Sequence, residues 1–401
     1  MNANKQRPEY LDGAIGMHSD EKSIQLIRAV AAREGEVHVV EIGPGGGVAL
    51  RGLADEQLDR SGLGLEGVTI TTVEKFSSSS EGLARASNDL REQGAVVEHI
   101  EADATEPMPF PDESIDIVNT SAVFHEIYSY AGGKSAISKA LAEIDRITVE
   151  GGELLYRDVY PVDQSMRVPV RQEYPRGSWE QFVRKFLPHY LAEADHEYDP
   201  KRVVLSGKSG VYGGTMPVGL AREVQRHYIT FRDSIIRDGL LGVKIDSDKY
   251  DLTEWIRTEA GHEKKIYLAE CEEQPVDDGL VVHEDANGLF VAASNFDSYV
   301  DQELVRFFED LDMNRPTNRT AYEEWLGREG TESYVYGSVS EVTDMIRAGG
   351  RQTGDRERFT ITDPDSYVIS ERDYYTRYLY AALGRCALPD KKLLITFEKV
   401  A

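Results

Sequence analysis

The run Val37-His-Val-Val-Glu-Ile42 passes without a spacer into Gly43-Pro-Gly-Gly-Gly47, a juxtaposition that few folds accept. A short, β-branched, apolar run with little polar alternation describes a strand covered on both faces, as in a parallel sheet. Glycines directly after such a strand mark a tight turn into a helix. The rhythm repeats. A helix capped by Ser19 and carrying Ile24, Ile27, Val30 and Ala31 on one face precedes the run and ends near Gly35. Val68–Val73 reads as a second strand ending at Glu74, Glu81–Gln93 as a helix, and Val96–Glu101 as a third strand ending at Asp103. Ile115–Val118 is the fourth strand, Lys134–Ile147 a helix, and Glu153–Val159 the fifth strand. Such alternation specifies an α/β fold, a doubly wound, mostly parallel sheet with helices on both faces.

A glycine turn alone marks only a tight corner. The acids beside it narrow the reading. Glu41 lies in the first strand, Glu74 ends the second and Asp103 ends the third. Ligands of open α/β sheets bind beyond the carboxyl ends of the strands, so these acids share one crevice. A carboxylate after the second strand suits a ribose diol, and one after the third suits an exocyclic amino donor. The pattern points to a nucleoside-bearing cofactor. A nicotinamide dehydrogenase would show G-x-G-x-x-G, whereas this turn reads G-P-G-G-G and its Pro44 lacks an amide for a pyrophosphate.

Val39-Val-Glu-Ile-Gly-Pro-Gly-Gly-Gly47, Thr72-Val-Glu-Lys75, Glu101-Ala-Asp-Ala104, Phe110–Val118 and Gly151–Tyr156 together resemble the class I S-adenosylmethionine-dependent methyltransferases. The resemblance spans about 19–160 plus a C-terminal portion, with 336–401 completing the Rossmann-like core. It implies S-adenosylmethionine as cofactor and S-adenosylhomocysteine as product. It further implies that Glu41 belongs to the cofactor site, that Gly43, Gly45 and Gly47 approach the methionine moiety, that Glu74 holds the ribose, and that Asp103 and Ala104 read adenine. Asn119, Thr120 and Ser121, after the fourth strand, would border the transferred methyl. The ending, a helix over Ser340–Ala348 with strands at Phe359–Thr362 and Lys392–Lys399, is similar to the family's closing antiparallel hairpin.

Two segments exceed that pattern: 161–335, a large, mainly helical or mixed insertion after the fifth strand, and the aromatic stretch Tyr367–Leu383. Both leave the sheet where an acceptor belongs and read as an acceptor-binding lid, with an unrelated inserted domain as the alternative. Residues 1–18, with Tyr10 and His18, read as an N-terminal cover. Ser206-Gly-Lys-Ser-Gly210 could form an anion nest. Arg222 and Arg226, one helical turn apart, could bracket an acceptor's carboxylate or phosphate, or lie on a solvated helix face paired with Glu223 and Asp233. Residues 246–312 hold 19 acidic against 5 basic residues, a solvated surface or a dock for a cationic peptide or amine. Glu254-Trp-Ile-Arg-Thr-Glu259 and Glu324-Trp-Leu-Gly-Arg-Glu329 hint at a duplicated unit.

Methyl transfer from a sulfonium chiefly needs alignment and exclusion of water. A general base is needed only when the acceptor loses a proton. His125, just beyond the fourth strand, is the candidate base. Glu126 would orient it or act on an amine, and Tyr128 and Tyr130 would wall the acceptor. A capping and packing role for the His-Glu pair is the alternative. The other histidines show no metal-binding spacing, so no metal is expected. A net charge of −26, from 71 acidic and 45 basic residues in 401, argues against nucleic acid. No apolar run approaches a bilayer span and no signal peptide is evident. Two distant cysteines argue against a disulfide framework, and a cytoplasmic setting is expected. A homodimer is compatible with the sequence. Three functions stay open: methylation of O or N on a small or medium-sized acceptor, as in natural product biosynthesis; methylation of a peptide or protein; or a non-methylating reaction, such as a cyclisation, that retains the cofactor fold.

Overall fold

In the computed structural model, which describes residues 19–59, 65–76, 80–208, 211–237, 267–269, 282–285, 288–351, 356–362, 368–371, 373–389 and 391–401, one large sheet runs through the chain's two ends. Its parallel part comprises β1 (Val37–Ile42), β2 (Val68–Glu74), β3 (Val96–Glu101), β4 (Ile115–Ser121) and β5 (Thr148–Val159). Each of β1, β2 and β4 is almost wholly buried, which explains their unbroken apolar runs. The inserted and C-terminal strands are β6 (Pro169–Tyr174), β7 (Val204–Lys208), β8 (Val211–Pro217), β9 (Tyr267–Ala269), β10 (Val282–Asp285), β11 (Gly288–Ala292), β12 (Phe359–Ile361), β13 (Val368–Glu371) and β14 (Lys391–Lys399). The large sheet has the order β12-β14-β5-β4-β1-β2-β3, with β13 also paired to β14. β14 lies antiparallel to β5, β12 and β13. The strand order reverses between β1 and β4, the switch point where such sheets bind ligands.

Helices cover both faces. On one side α1 (Ser19–Ala31), α2 (Val48–Asp59) and α3 (Glu81–Glu92) bury Leu26, Leu50, Leu53, Leu83 and Leu90 against Val39, Ile70 and Ile117. Ser80 caps α3 by accepting the Leu83 amide at 3.1 Å. On the other, α4 (Phe124–Ala131), α5 (Gly133–Ile147) and α10 (Val339–Arg347) pack Phe124, Ile137, Leu141, Ile144, Val342 and Ile346 against Val40, Val118 and Ile395. A reciprocal capping box between Ser338 and Glu341 starts α10.

The insertion has a core of its own. The antiparallel sheet β6-β8-β7 joins α6 (Ser178–Glu193), α7 (Val218–Arg237), α8 (Ala293–Asp312), α9 (Pro316–Arg328) and, from the C-terminal segment, α11 (Asp373–Leu383). Trp179, Phe182, Phe186, Tyr228, Phe231, Phe308, Trp325, Tyr378 and Leu379 fill it. The aromatic C-terminal stretch thus divides: β13 extends the large sheet, and α11 completes the inserted unit. β10, β11 and β9 form a separate small sheet.

The helix carrying Arg222 and Arg226 is not solvated. Arg222, Glu223, Arg226, His227 and Arg232 are all buried, because α7 runs through the middle of the inserted unit. Glu223 accepts the backbone amides of Tyr334 and Val335 at 3.2 and 2.7 Å rather than pairing in water. The N-terminal cover 1–18, two of the five anion-nest residues (209–210), Trp255 of the repeat and most of the acidic stretch lie outside the described residues.

Candidate active site

The glycine turn carries β1 to α2 with Gly43, Gly45 and Gly47 at φ of 68°, 52° and 75°, a left-handed region costly for other residues. They do not share one role. A Cβ on Gly43 would meet Val123 Cγ2 at 2.9 Å, beside the cleft, whereas one on Gly47 would meet Leu83 Cα at 2.7 Å. Gly47 is therefore small because α3 packs on it. It does not line the cleft.

The cleft beyond the strand ends is lined by Ile42, Gly43, Val73, Glu74, Lys75, Ala102, Asp103, Ala104, Val123, Glu126, Ile127 and Ala131. Four expected cofactor residues therefore meet there: Gly43, Glu74, Asp103 and Ala104. Glu74 Oε1 accepts the Gly45 amide at 3.0 Å, but its Oε2 is buried without a hydrogen-bond partner among the described residues. Burial pushes the Glu74 carboxyl up to about 7; the Gly45 amide opposes this and the charge of Glu126 adds to it. A buried carboxylate oxygen with no donor is expensive unless a ligand supplies one, and a ribose hydroxyl is a fitting donor. Asp103 differs. Burial alone would raise its pKa, but the Lys75 ammonium at 2.6 Å and the Thr105 amide and hydroxyl hold it below the usual carboxylate range.

The acids and amides nearer the sheet interior are occupied. Asn119 Nδ2 donates to Glu41 Oε2 at 2.5 Å, with both residues buried. Burial pushes the Glu41 carboxyl up to about 8 against that hydrogen bond. Asn119, Thr120 and Ser121 do not follow the fourth strand; they are its last residues. Thr120 Oγ1 donates to the Leu155 carbonyl at 2.9 Å, so its hydroxyl is engaged with the sheet. Ser121 Oγ accepts from Arg157 Nη1 at 3.3 Å. The turn that reaches the cleft comes next, where Ala122 has φ of 60° and Val123 lines the wall.

His125 and Glu126 begin α4, and here the partners differ from expectation. Asp158, near the end of β5, orients His125: its Oδ1 lies 2.7 Å from His125 Nδ1, and its Oδ2 accepts the His125 amide at 3.1 Å. Glu126 faces the cleft instead. His125 Nε2 lies 4.0 Å from Oε2 of Glu332, a fully buried residue of the inserted unit. One nitrogen of His125 and one oxygen each from Glu126 and Glu332 lie within 4.8 Å of one another. Burial lowers the His125 pKa, but Asp158, by charge and hydrogen bond, with Glu332 and Glu126, more than reverses this and raises it.

The expected acceptor wall is also revised. Tyr128 is in the core, stacked on Tyr336 at 5.7 Å, because its side of α4 faces the sheet domain's interior. Tyr130 bridges the two units, its hydroxyl 3.1 Å from the Arg328 carbonyl and 3.2 Å from Glu332 Oε1. Arg222 Nε donates to the Tyr160 carbonyl at 3.4 Å, and the Arg226 guanidinium sits 5.4 Å over the Tyr334 ring. Both arginines border the seam between the units and do not form a surface clamp. Asp158 had a signal, an acid at a strand's carboxyl end like Glu74. Glu332 had none.

A family model described as a methyltransferase domain matches residues 40–156, which contain the whole cleft. No curated protein sequence matches the chain. Solved structures that resemble it include the [4+2]-cyclase SpnF (24% identity, 35% of this chain and 46% of that one, TM-score 0.24). YcgJ from Bacillus subtilis is 14% identical over 95% and 99% of the two chains, with a TM-score of 0.33. An S-adenosylmethionine-dependent methyltransferase from Methanosarcina mazei is 15% identical over 49% and 79%, with a TM-score of 0.28. The chain covers less than half the length of the first three such structures. Among the described residues no helix is long and apolar enough to cross a membrane. The family match identifies residues 40–156 as a methyltransferase domain, set on a mostly parallel sheet with a switch point between β1 and β4.

Proposed function

We propose that this class I methyltransferase domain works as an enzyme, methylating O or N of a small or medium-sized organic acceptor held between the sheet domain and the inserted unit. The observation that carries the reading is the buried Oε2 of Glu74, which has no hydrogen-bond partner among the described residues, in a cleft that also holds Gly43, Asp103 and Ala104. S-adenosylmethionine fits that set: Glu74 would accept its ribose hydroxyls, and Asp103 and Ala104 would border its adenine. When bound, it supplies a methyl group whose carbon–sulfur electron pair leaves with the sulfur, giving S-adenosylhomocysteine. The cleft's aliphatic wall of Val123 and Ile127 excludes water. His125 takes the proton that the acceptor's O–H or N–H gives up, and Glu126 lines the cleft beside it.

A small acceptor is favoured because His125 meets the inserted unit in a buried seam, where Glu332 and Tyr334 are almost without exposure. An extended peptide could not enter such a seam unless it opened. Natural product biosynthesis and a cytoplasmic setting are the contexts this reading suggests. Incubating the full chain with S-adenosylmethionine and cell extract, then searching by mass spectrometry for products heavier by 14 Da, tests it. Small-molecule products are expected. Product confined to proteins would favour the peptide reading, and consumption without any methylated product a non-methylating reaction.

A further inference from the structure

We propose that Asp158 and Glu332 are positioning residues for His125, one from each unit, so that the inserted unit is a structural part of the catalytic centre as well as a cover over it. This deepens the methyl-transfer reading and rests on His125 acting as its base. The geometry fixes both sides of the ring. Asp158 holds Nδ1 at 2.7 Å and the amide of the same residue at 3.1 Å. A carboxylate on Nδ1 keeps a proton there and leaves the Nε2 lone pair to accept one.

On the Nε2 side, Glu332 is fixed by its neighbours. Ser333 donates its amide to Ser129 Oγ at 2.8 Å, and Ser129 Oγ donates to the His125 carbonyl at 2.6 Å. The next two amides, of Tyr334 and Val335, are fastened to Glu223 on α7. The Tyr334 hydroxyl donates to Glu329 Oε2 at 2.7 Å, and its ring lies 5.1 Å from the His125 ring. The stretch 329–335 is thus tied on one side to α4 and on the other to α7. Glu332 cannot move from His125 without breaking bonds in both units.

At 4.0 Å, the Glu332 carboxylate is too distant for a direct hydrogen bond to Nε2. It is close enough to stabilise an imidazolium once Nε2 has gained a proton. In that step the acceptor's O–H or N–H bond breaks and an Nε2–H bond forms. The pair left on the acceptor closes on the methyl carbon, and the carbon–sulfur pair departs with sulfur. Other groups facing this centre are Glu126 on α4, Tyr130, the Tyr334 ring with Arg226 above it, and Lys392, which interacts with Asp158.

The test is ring nitrogen-15 NMR of the full chain, with the His125 signals assigned by their loss in His125→Gln. The His125 titration midpoint is expected above the ordinary ~6.5. Glu332→Gln and Asp158→Asn should each lower it by about 0.5 unit or more, and Glu332→Asp should restore part of the loss. A role in packing alone would change the melting temperature and leave the midpoint in place. If Asp158→Asn does not fold, Glu332→Gln decides. A midpoint unmoved by Glu332→Gln would overturn the proposal. Calorimetry with S-adenosylhomocysteine on the wild-type sample separates the two ideas, since absent binding would sink the methyl-transfer reading whatever the ring signals show.

Discussion

Glu74 makes the affinity for S-adenosylhomocysteine depend on pH in a way that can be worked out from its surroundings. In the free protein its carboxyl is pushed up to about 7, mainly by burial. Accepting the ribose diol on Oε2 while Oε1 accepts the Gly45 amide requires the ionised form, so the observed affinity scales with the fraction ionised. That fraction is roughly one-tenth at pH 6 and three-quarters at pH 7.5, so binding should weaken about eightfold, or about 1.2 kcal/mol, on going from pH 7.5 to 6. A raised carboxyl pKa also means that the free fold is stabilised by the proton below about 4.5 and loses that stability as pH rises through about 7. Affinity for the ligand and stability of the free protein therefore change in opposite directions across this window. Isothermal calorimetry in two buffers of different ionisation enthalpy should show nearly one proton released per ligand bound at pH 6. Glu74→Gln should bind about 1–3 kcal/mol more weakly and show neither the pH slope nor the proton release. Wild-type affinity that is flat between pH 6 and 7.5, or an equal slope in Glu74→Gln, would refute this reasoning.

Glu41→Gln keeps an acceptor for Asn119 and removes a carboxyl that burial pushes up to about 8. The variant should lose less stability than the wild type as pH rises through that value, by about 1.4 kcal/mol between pH 7 and 9; parallel denaturant curves at those two pH values check this. Gly47→Ala should destabilise by about 1–3 kcal/mol through its positive φ and the 2.7 Å approach to Leu83 Cα. A drop in melting temperature of less than a degree would count against it. Trp325→Ala, in the core of the inserted unit, should cost about 3–5 kcal/mol, read in the same denaturant assay.

The parallel part of the sheet is legible because its strands announce themselves locally, whereas β13, within the aromatic stretch that reads as a lid, does not. Val37–Ile42, Val68–Glu74 and Val96–Glu101 are apolar or β-branched runs bounded by turns, and the structure places their ends where the sequence does. Glu74 and Asp103 were legible as a pair because position at a strand end is itself a chemical address. The misreadings share one physical cause. Chemical type suggests an acceptor wall for Tyr128 and a clamp for the α7 arginines, but their roles depend on which neighbour covers them, and that is tertiary information. Arg222 and Arg226 look like solvated residues until α7 is seen to be surrounded by α6, α9 and the stretch after it. Glu332 could not have been found by sequence reasoning, since 207 positions of chain separate it from His125 and only the docking of two units brings them together.

The central claim is that the cleft holds an adenosyl sulfonium with its ribose on Glu74. A crystal structure of the full chain grown with S-adenosylhomocysteine tests it most directly. The prediction is density for the ribose diol within hydrogen-bonding distance of Glu74 Oε2, adenine beside Asp103 and Ala104, and sulfur directed toward Val123 and Glu126. Ligand bound elsewhere, or a well-ordered cleft with Glu74 Oε2 still lacking a donor at saturating ligand, would contradict it.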